Sequence, residues 1–139
     1  MSHLTKIELE INDLNALKNT CNRLGFKFLE NQKTYKWFGK FMGDSPLPEG
    51  LSISDLGKCH HAISAPNCSY EIGVVKQGNK FVLLWDYWHS GGLDKKIGTN
   101  GGKLKQAYTI EKAKWEATKK GYSCTEHKTE KGIQLRIRL

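Results

Sequence analysis

The stretch from Tyr70 to Trp88 constrains what this chain can fold into more than any other. Two β-rich runs, Tyr70 to Lys76 and Lys80 to Trp88, flank the short polar segment Gln77-Gly78-Asn79, which is the pattern of a β-hairpin. Side chains alternate along a strand, so Phe81, Leu83, Trp85 and Tyr87 share one face. Val82, Leu84 and Trp88 fall on the other face, where Asp86 is the only charge. A strand apolar on both faces belongs in the interior of a sheet covered from both sides. The second run of the hairpin is therefore expected to be the spine of the sheet.

The other elements follow from periodicity. Residues 4–11 alternate Ile7, Leu9 and Ile11 against Lys6, Glu8 and Glu10, a strand with one wet face. Asn12 then stands as a helix N-cap, with Asp13 in the first turn. Leu14, Leu17, Cys21 and Leu24 make an apolar helical stripe that Gly25 closes. Phe26 to Glu30 and Thr34 to Phe38 read as two short strands. The region from about 42 to 66 holds all three prolines, Pro46, Pro48 and Pro66, and reads as an irregular surface excursion. Within it, Ser52 or Ser54 is placed to cap a short turn ended by Gly57, and Cys59 to Ser64 re-enters the sheet.

Beyond the hairpin, a loose stretch ending Gly98 to Gly102 leads into a helix over about Lys103 to Lys120. Its expected inner face is Leu104, Ala107, Tyr108, Trp115 and Thr118. Tyr122 to Lys128 and Ile133 to Leu139 form a last hairpin around Glu130-Lys131-Gly132. Leu24-Gly25-Phe26 and Lys120-Gly121-Tyr122 both read helix, glycine, aromatic, strand, a faint pseudo-duplication of a strand–helix–strand unit. The fold these elements predict is α+β: a mostly antiparallel β-sheet with two helices packed on one face, a two-layer sandwich. A chain of 139 residues suits one domain over 1–139.

Composition sets the broad class. With 38% hydrophobic and 26% charged residues the chain is globular, and it has no apolar run of the roughly 20 residues a membrane span needs. Its N-terminus lacks the apolar core of a signal peptide, so the expectation is a protein acting where it is made, in the cytoplasm. The four cysteines, Cys21, Cys59, Cys68 and Cys124, show no close pair and are expected to be thiols. The formal net charge of +8 is unevenly placed. Residues 89–139 carry 12 Lys and Arg against 5 Asp and Glu, while residues 1–88 carry 10 against 9. The C-terminal third is therefore where an anion would be drawn.

Several segments resemble one family. Met1 to Ile7, Tyr70 to Val75, Trp85 to Trp88, Ala107-Tyr108, Lys120 to Tyr122 and Gly132 to Arg138 are similar to an uncharacterised domain family encoded in cyanobacteria and algal plastids, with relatives in tailed phages. Residues 40–66 are the least similar. The resemblance implies a shared fold and such a source, with plastid stroma as the compartment for a plastid-encoded member. It implies no catalytic residue.

Three constellations carry chemistry. Cys59, His60 and His61, with Cys68 further on, are metal-type ligands. On a strand, Cys59 and His61 share a face and His60 does not, one ligand short of a tetrahedral set. No metal and no cofactor are therefore expected. Cys59 with His61 or His89 would be a thiolate–imidazole pair, without an acid partner in view. The third is an anion site at Gly101, Gly102, Lys103 and Lys105, where glycines before a helix let backbone N–H groups approach a phosphate. The spacing is not that of a P-loop. Lys95, Lys96, Arg136 and Arg138 would join it if the last strand lies alongside, with Lys112, Lys119 and Lys120 extending the surface. Trp85, Tyr87 or Trp88, if exposed, would add stacking platforms, although aromatics in a central strand are usually core. The expected function is a small, basic, non-enzymatic binding or accessory protein for an anionic partner, nucleic acid or an acidic protein surface. The alternative is a protein-interaction module using a sheet edge or the 42–66 segment (a host-factor inhibitor, for a phage member). A small-ligand or metal-dependent enzyme ranks third.

Overall fold

The computed structural model describes residues 3–41, 46–48 and 50–139. Of the excursion expected over 42–66, residues 42–45 and 49 lie outside the described residues. Five strands, β1 (Leu4–Ile11), β2 (Lys27–Leu29), β3 (His61–Ser64), β4 (Ile72–Gln77) and β5 (Lys80–Asp86), form one antiparallel sheet in the order β1-β5-β4-β3-β2. Three α-helices, α1 (Leu14–Leu24), the five-residue α2 (Leu93–Ile97) and α3 (Gly102–Lys119), accompany it. The last two strands, β6 (Ser123–Thr129) and β7 (Gly132–Arg138), pair only with each other. The protein is an α+β fold.

The hairpin forms as its sequence requires. Gln77 pairs with Lys80, leaving Gly78-Asn79 as a two-residue turn with Gly78 at φ +63°. β5 lies between β1 and β4, and its two faces feed two different cores. Leu83 and Trp85 join Ile7, Ile63, Ile72 and Val74 beneath α1 and α3. Leu84, with Leu4 and Ala62, faces the other way, onto Tyr35 and Cys59. The helix layer covers one face, and the irregular segments around 33–38 and 51–59 cover the other.

That second covering differs from the expected strand at Thr34–Phe38. The segment makes a single bridge, Thr34 to Lys58, and is held by individual hydrogen bonds. Tyr35 N–H donates to Gly57 O at 3.0 Å and Cys59 N–H to Lys33 O at 2.9 Å. Two buried carboxylates complete the attachment. Glu71 accepts from Lys36 N–H at 3.0 Å and Gln32 Nε2 at 3.0 Å, and Asp86 accepts from Phe38 N–H at 3.1 Å. Strand propensity lost because the backbone's partners here come from side chains and loops, which no pattern of two announces. Further on, the expected turn is present: Asp55 accepts from both the N–H and hydroxyl of Ser52 around a single 3₁₀ turn, Ile53–Asp55.

The helix caps divide the same way. The N-cap of α1 is Asp13 rather than Asn12: its carboxylate accepts from Asn15 N–H at 2.9 Å and Ala16 N–H at 3.3 Å. The closing motif is shared by both long helices. Gly25 and Gly121 stand at φ +75° and +79°, and the aromatic after each donates back five residues, Phe26 to Cys21 O and Tyr122 to Ala117 O. The likeness stops there, because α1 leads into the main sheet and α3 leads into the separate hairpin.

The inner face of α3 is Leu104, Ala107, Tyr108, Ile110, Glu111 and Ala117. Trp115 is half-buried and Thr118 exposed, contrary to the helical wheel. The shift has a cause in packing: α3 meets α1 along its length and the β6–β7 hairpin beyond it, so a wider arc than one stripe is covered. Arg23 of α1 bridges Glu111 of α3, at 3.1 Å, and Glu126 of β6, while Lys114 reaches Glu126 at 2.8 Å. These charges tie the hairpin to both helices.

Candidate functional site

The β5 strand and the α2–α3 connection enclose a cleft of about 730 Å³, within the roughly 300–1,000 Å³ of ordinary ligand sites. Thr5, Glu8, Trp85 and Tyr87 line it from the sheet. Asp94, Gly98, Thr99, Asn100 and Lys105 line the opposite side. Lys6 borders it too, but its ammonium donates to Gln77 Oε1 at 3.3 Å, away on the other face.

The geometry of the far wall follows from close packing against β1. A Cβ on Gly101 would lie 3.0 Å from Ile7 Cγ2, and Gly101 sits at φ +74°, so only glycine brings the helix start this near the strand. Gly101 N–H donates to Gly98 O and Gly102 N–H to Thr99 O, closing a 3₁₀ turn. The two N–H groups that the sequence offered to an anion are therefore engaged within the turn itself. Lys103 lays its stem over Gly98, where a Cβ would meet its Cγ at 3.2 Å, which puts this exposed lysine at the rim. Lys105 lines the cleft directly.

The aromatics at the end of β5 do not behave alike. Trp85 is 3% exposed and belongs to the core, as expected of an interior strand. Tyr87 is 42% exposed. It stacks on His3 with ring centroids 5.0 Å apart, and Trp88 packs on His89 at 4.4 Å. Of this row of aromatic and imidazole rings, Tyr87 lines the cleft.

The basic residues separate into two groups. Arg136 and Arg138 pair across the hairpin with Thr125 and Ser123, next to the C-terminal end of α3. Lys103 stands at its N-terminal end, so the 18 residues of α3, about 27 Å, intervene. Lys95 and Lys96 are exposed on α2, beside Asp94. The two groups are distinguished from their neighbours by their partners. Lys112, Lys114 and Lys119 are ion-paired with carboxylates. Among the described residues, Lys95, Lys96, Lys103, Lys105, Arg136 and Arg138 enter no ion pair.

The cysteine–histidine set is dispersed. Cys59 is buried against the second face, with its thiol donating to Gln32 O at 3.2 Å, and burial pushes its pKa up to about 11. His61 turns to the helix side, against Phe28 and Phe81, with Nδ1 accepting from Asn31 N–H. The two do not share a face, because the strand starts only at His61 and Cys59 belongs to the preceding loop. Cys68 lies beside Gly92, where a Cβ would meet its Sγ at 3.3 Å. Among the described residues no three His, Cys, Asp or Glu side chains group as metal ligands would. No helix among them is long and apolar enough to cross a membrane.

Comparison with protein-family models, with curated proteins and with solved structures finds no match to this chain. The class is therefore set by the fold alone: an α+β protein with a five-stranded antiparallel sheet, an open cleft at the end of β5, and unpaired cations around it.

Proposed function

We propose that this chain is a small, non-enzymatic binding protein that engages single-stranded nucleic acid at the α2–α3 end of the molecule. The observation supporting it is the pairing pattern of the lysines. Those midway and late on α3 are neutralised by carboxylates, whereas Lys95, Lys96, Lys103 and Lys105 keep their charge for an outside partner. Tyr87 lines the same cleft as Lys105 and stacks on His3, and cations next to exposed rings are what bind a sugar–phosphate chain with unpaired bases. An acidic protein surface would use the cations and leave the rings without a role. The dispersal of Cys59, His61 and His89 favours binding over catalysis. The same reading assigns the protein to the cytoplasm, or to the stroma for a plastid-encoded member of the family it resembles.

Phosphate contacts release condensed counterions, so affinity for a labelled oligonucleotide should fall steeply with salt. Fluorescence anisotropy across a salt series tests this. Affinity indifferent to salt, or no binding, would remove the proposal.

A second reading is a protein-interaction module. It is favoured by the β6–β7 hairpin, where Ile137 is 49% and Leu139 96% exposed beside Arg136 and Arg138. An extended acidic segment added to its edge would satisfy both. Retained capture of a partner after substituting these four residues would count against it.

A further inference from the structure

We propose that β7 is the edge through which two copies of this chain pair into a four-stranded sheet, an inference independent of the nucleic-acid reading. β6 and β7 pair only with each other, and among the described residues no element but β6 runs close beside β7. A two-stranded sheet is marginal in water, and its open edge is a template for another strand. The register defines what that edge offers. Thr129 pairs with Gly132 across the turn Glu130-Lys131, so the hydrogen-bonded pairs run through Gly132, Gln134, Arg136 and Arg138. The N–H and C=O groups of Ile133, Leu135 and Ile137 therefore point away from β6. Their side chains share the face of Glu126, which turns toward α1 and α3.

The two edges of the hairpin are not alike. β6 carries Glu126 and Lys128 on the inner face, where charges oppose the arrival of another strand. β7 carries only Ile133, Leu135 and Ile137 there, and Ile137 is 49% exposed. Charge selects the second copy as the occupant. Antiparallel pairing of β7 with itself about Leu135 sets Ile133 opposite the other copy's Ile137, and every outward backbone group finds a partner. On the outer face the same register puts Arg136 opposite Gln134 and Arg138 opposite Gly132, so no two cations meet. Centring on Arg136 would oppose two cations, and centring on Gln134 would set Ile137 against Lys131. β6 paired with itself about Glu126 would oppose two carboxylates.

Sedimentation velocity of the full chain across a concentration series tests this, and the wild type should move from monomer to dimer as concentration rises. Ile137→Pro removes an outward N–H while leaving the bonds to β6 intact, so it should stay monomeric with the far-ultraviolet dichroism of the wild type. Lys128→Pro makes the same change on the open edge of β6 and should leave the dimer in place. Gln134→Glu, opposite the other copy's Arg136, should tighten the dimer by about fivefold, and Gln134→Lys should loosen it by a similar factor. Should Ile137→Pro lose its fold, the two variants at the exposed Gln134 still decide. A wild type that is monomeric at every concentration overturns the inference and leaves the edge to an acidic segment. A dimer that survives Ile137→Pro, or one indifferent to the charge at position 134, also overturns it.

Discussion

Asp86 accepts the backbone N–H of Phe38 through Oδ2 at 3.1 Å, joining residues 48 apart in sequence. Its other oxygen accepts from His3 N–H at 3.0 Å and Trp88 N–H at 3.1 Å. One fully buried carboxylate thus ties the start of β1, the end of β5 and the segment that covers the second face. Removing it by Asp86→Ala would strand three N–H donors, at a cost of about 3 kcal/mol or more. Urea unfolding should show a markedly lower midpoint. A midpoint within error of wild type would mean that the covering segment holds without this clasp.

Gly73 lies directly beneath the ring of Tyr35, where an added Cβ would stand 2.4 Å from Cδ1. Gly73→Ala should destabilise the protein by about 1–3 kcal/mol through overpacking. Because the clash is with one ring, the same substitution should cost much less in a Tyr35→Ala background. A double-mutant cycle on unfolding free energies measures this coupling. Additive effects would show that the strain lies elsewhere.

Glu126 is held by hydrogen bonds from Arg23 and Lys114, which lower its carboxyl from the ordinary 4.5 to about 2. A lowered folded pKa means stability that is complete above the ordinary value and is lost as pH falls through about 4.5 to about 2. The pair is partly exposed, so the effect is on the order of 1 kcal/mol. Thermal midpoints should therefore fall over that window in the wild type, and less in Glu126→Gln, which starts lower at neutral pH. Parallel pH profiles for the two proteins would contradict the assignment.

The separation of the basic residues predicts unequal roles. Lys95→Ala with Lys96→Ala and Lys103→Ala should weaken oligonucleotide binding by about tenfold or more and flatten its salt dependence. Arg136→Ala with Arg138→Ala, at the other end of α3, should change it by less than about threefold. An equal loss from both sets would mean that the bound strand runs the full length of the helix.

How much was legible depended on whether the cause was local. The β4–β5 hairpin, the amphipathic stripe of α1, the glycine stops at Gly25 and Gly121, and the Ser52–Asp55 turn each rest on residues a few positions apart, and each is present. Asn12 reads as the cap with Asp13 in the first turn, but the helix begins one residue later and Asp13 is the cap. Thr34 to Phe38 alternates like a strand, but its backbone partners lie at Gly57, Glu71 and Asp86. The cleft was half legible: the glycines and Lys103 and Lys105 announce a helix start. Asp94 was hidden inside a stretch read as loose, because a five-residue helix leaves too short a period to detect.

What the amino-acid sequence determined by itself was most of the long elements, the antiparallel α+β class and the concentration of positive charge in the last third. Periodicity, caps and composition are properties of neighbouring residues, and they survive without knowing the fold. Tertiary structure alone decided which face each core belongs to, that β6 and β7 leave the main sheet, and which lysines are neutralised. It also decided that Tyr87 is open while Trp85 is buried. Those outcomes depend on groups distant in sequence meeting in space, where burial and ion pairing are settled by the neighbour that arrives, not by the residue that waits.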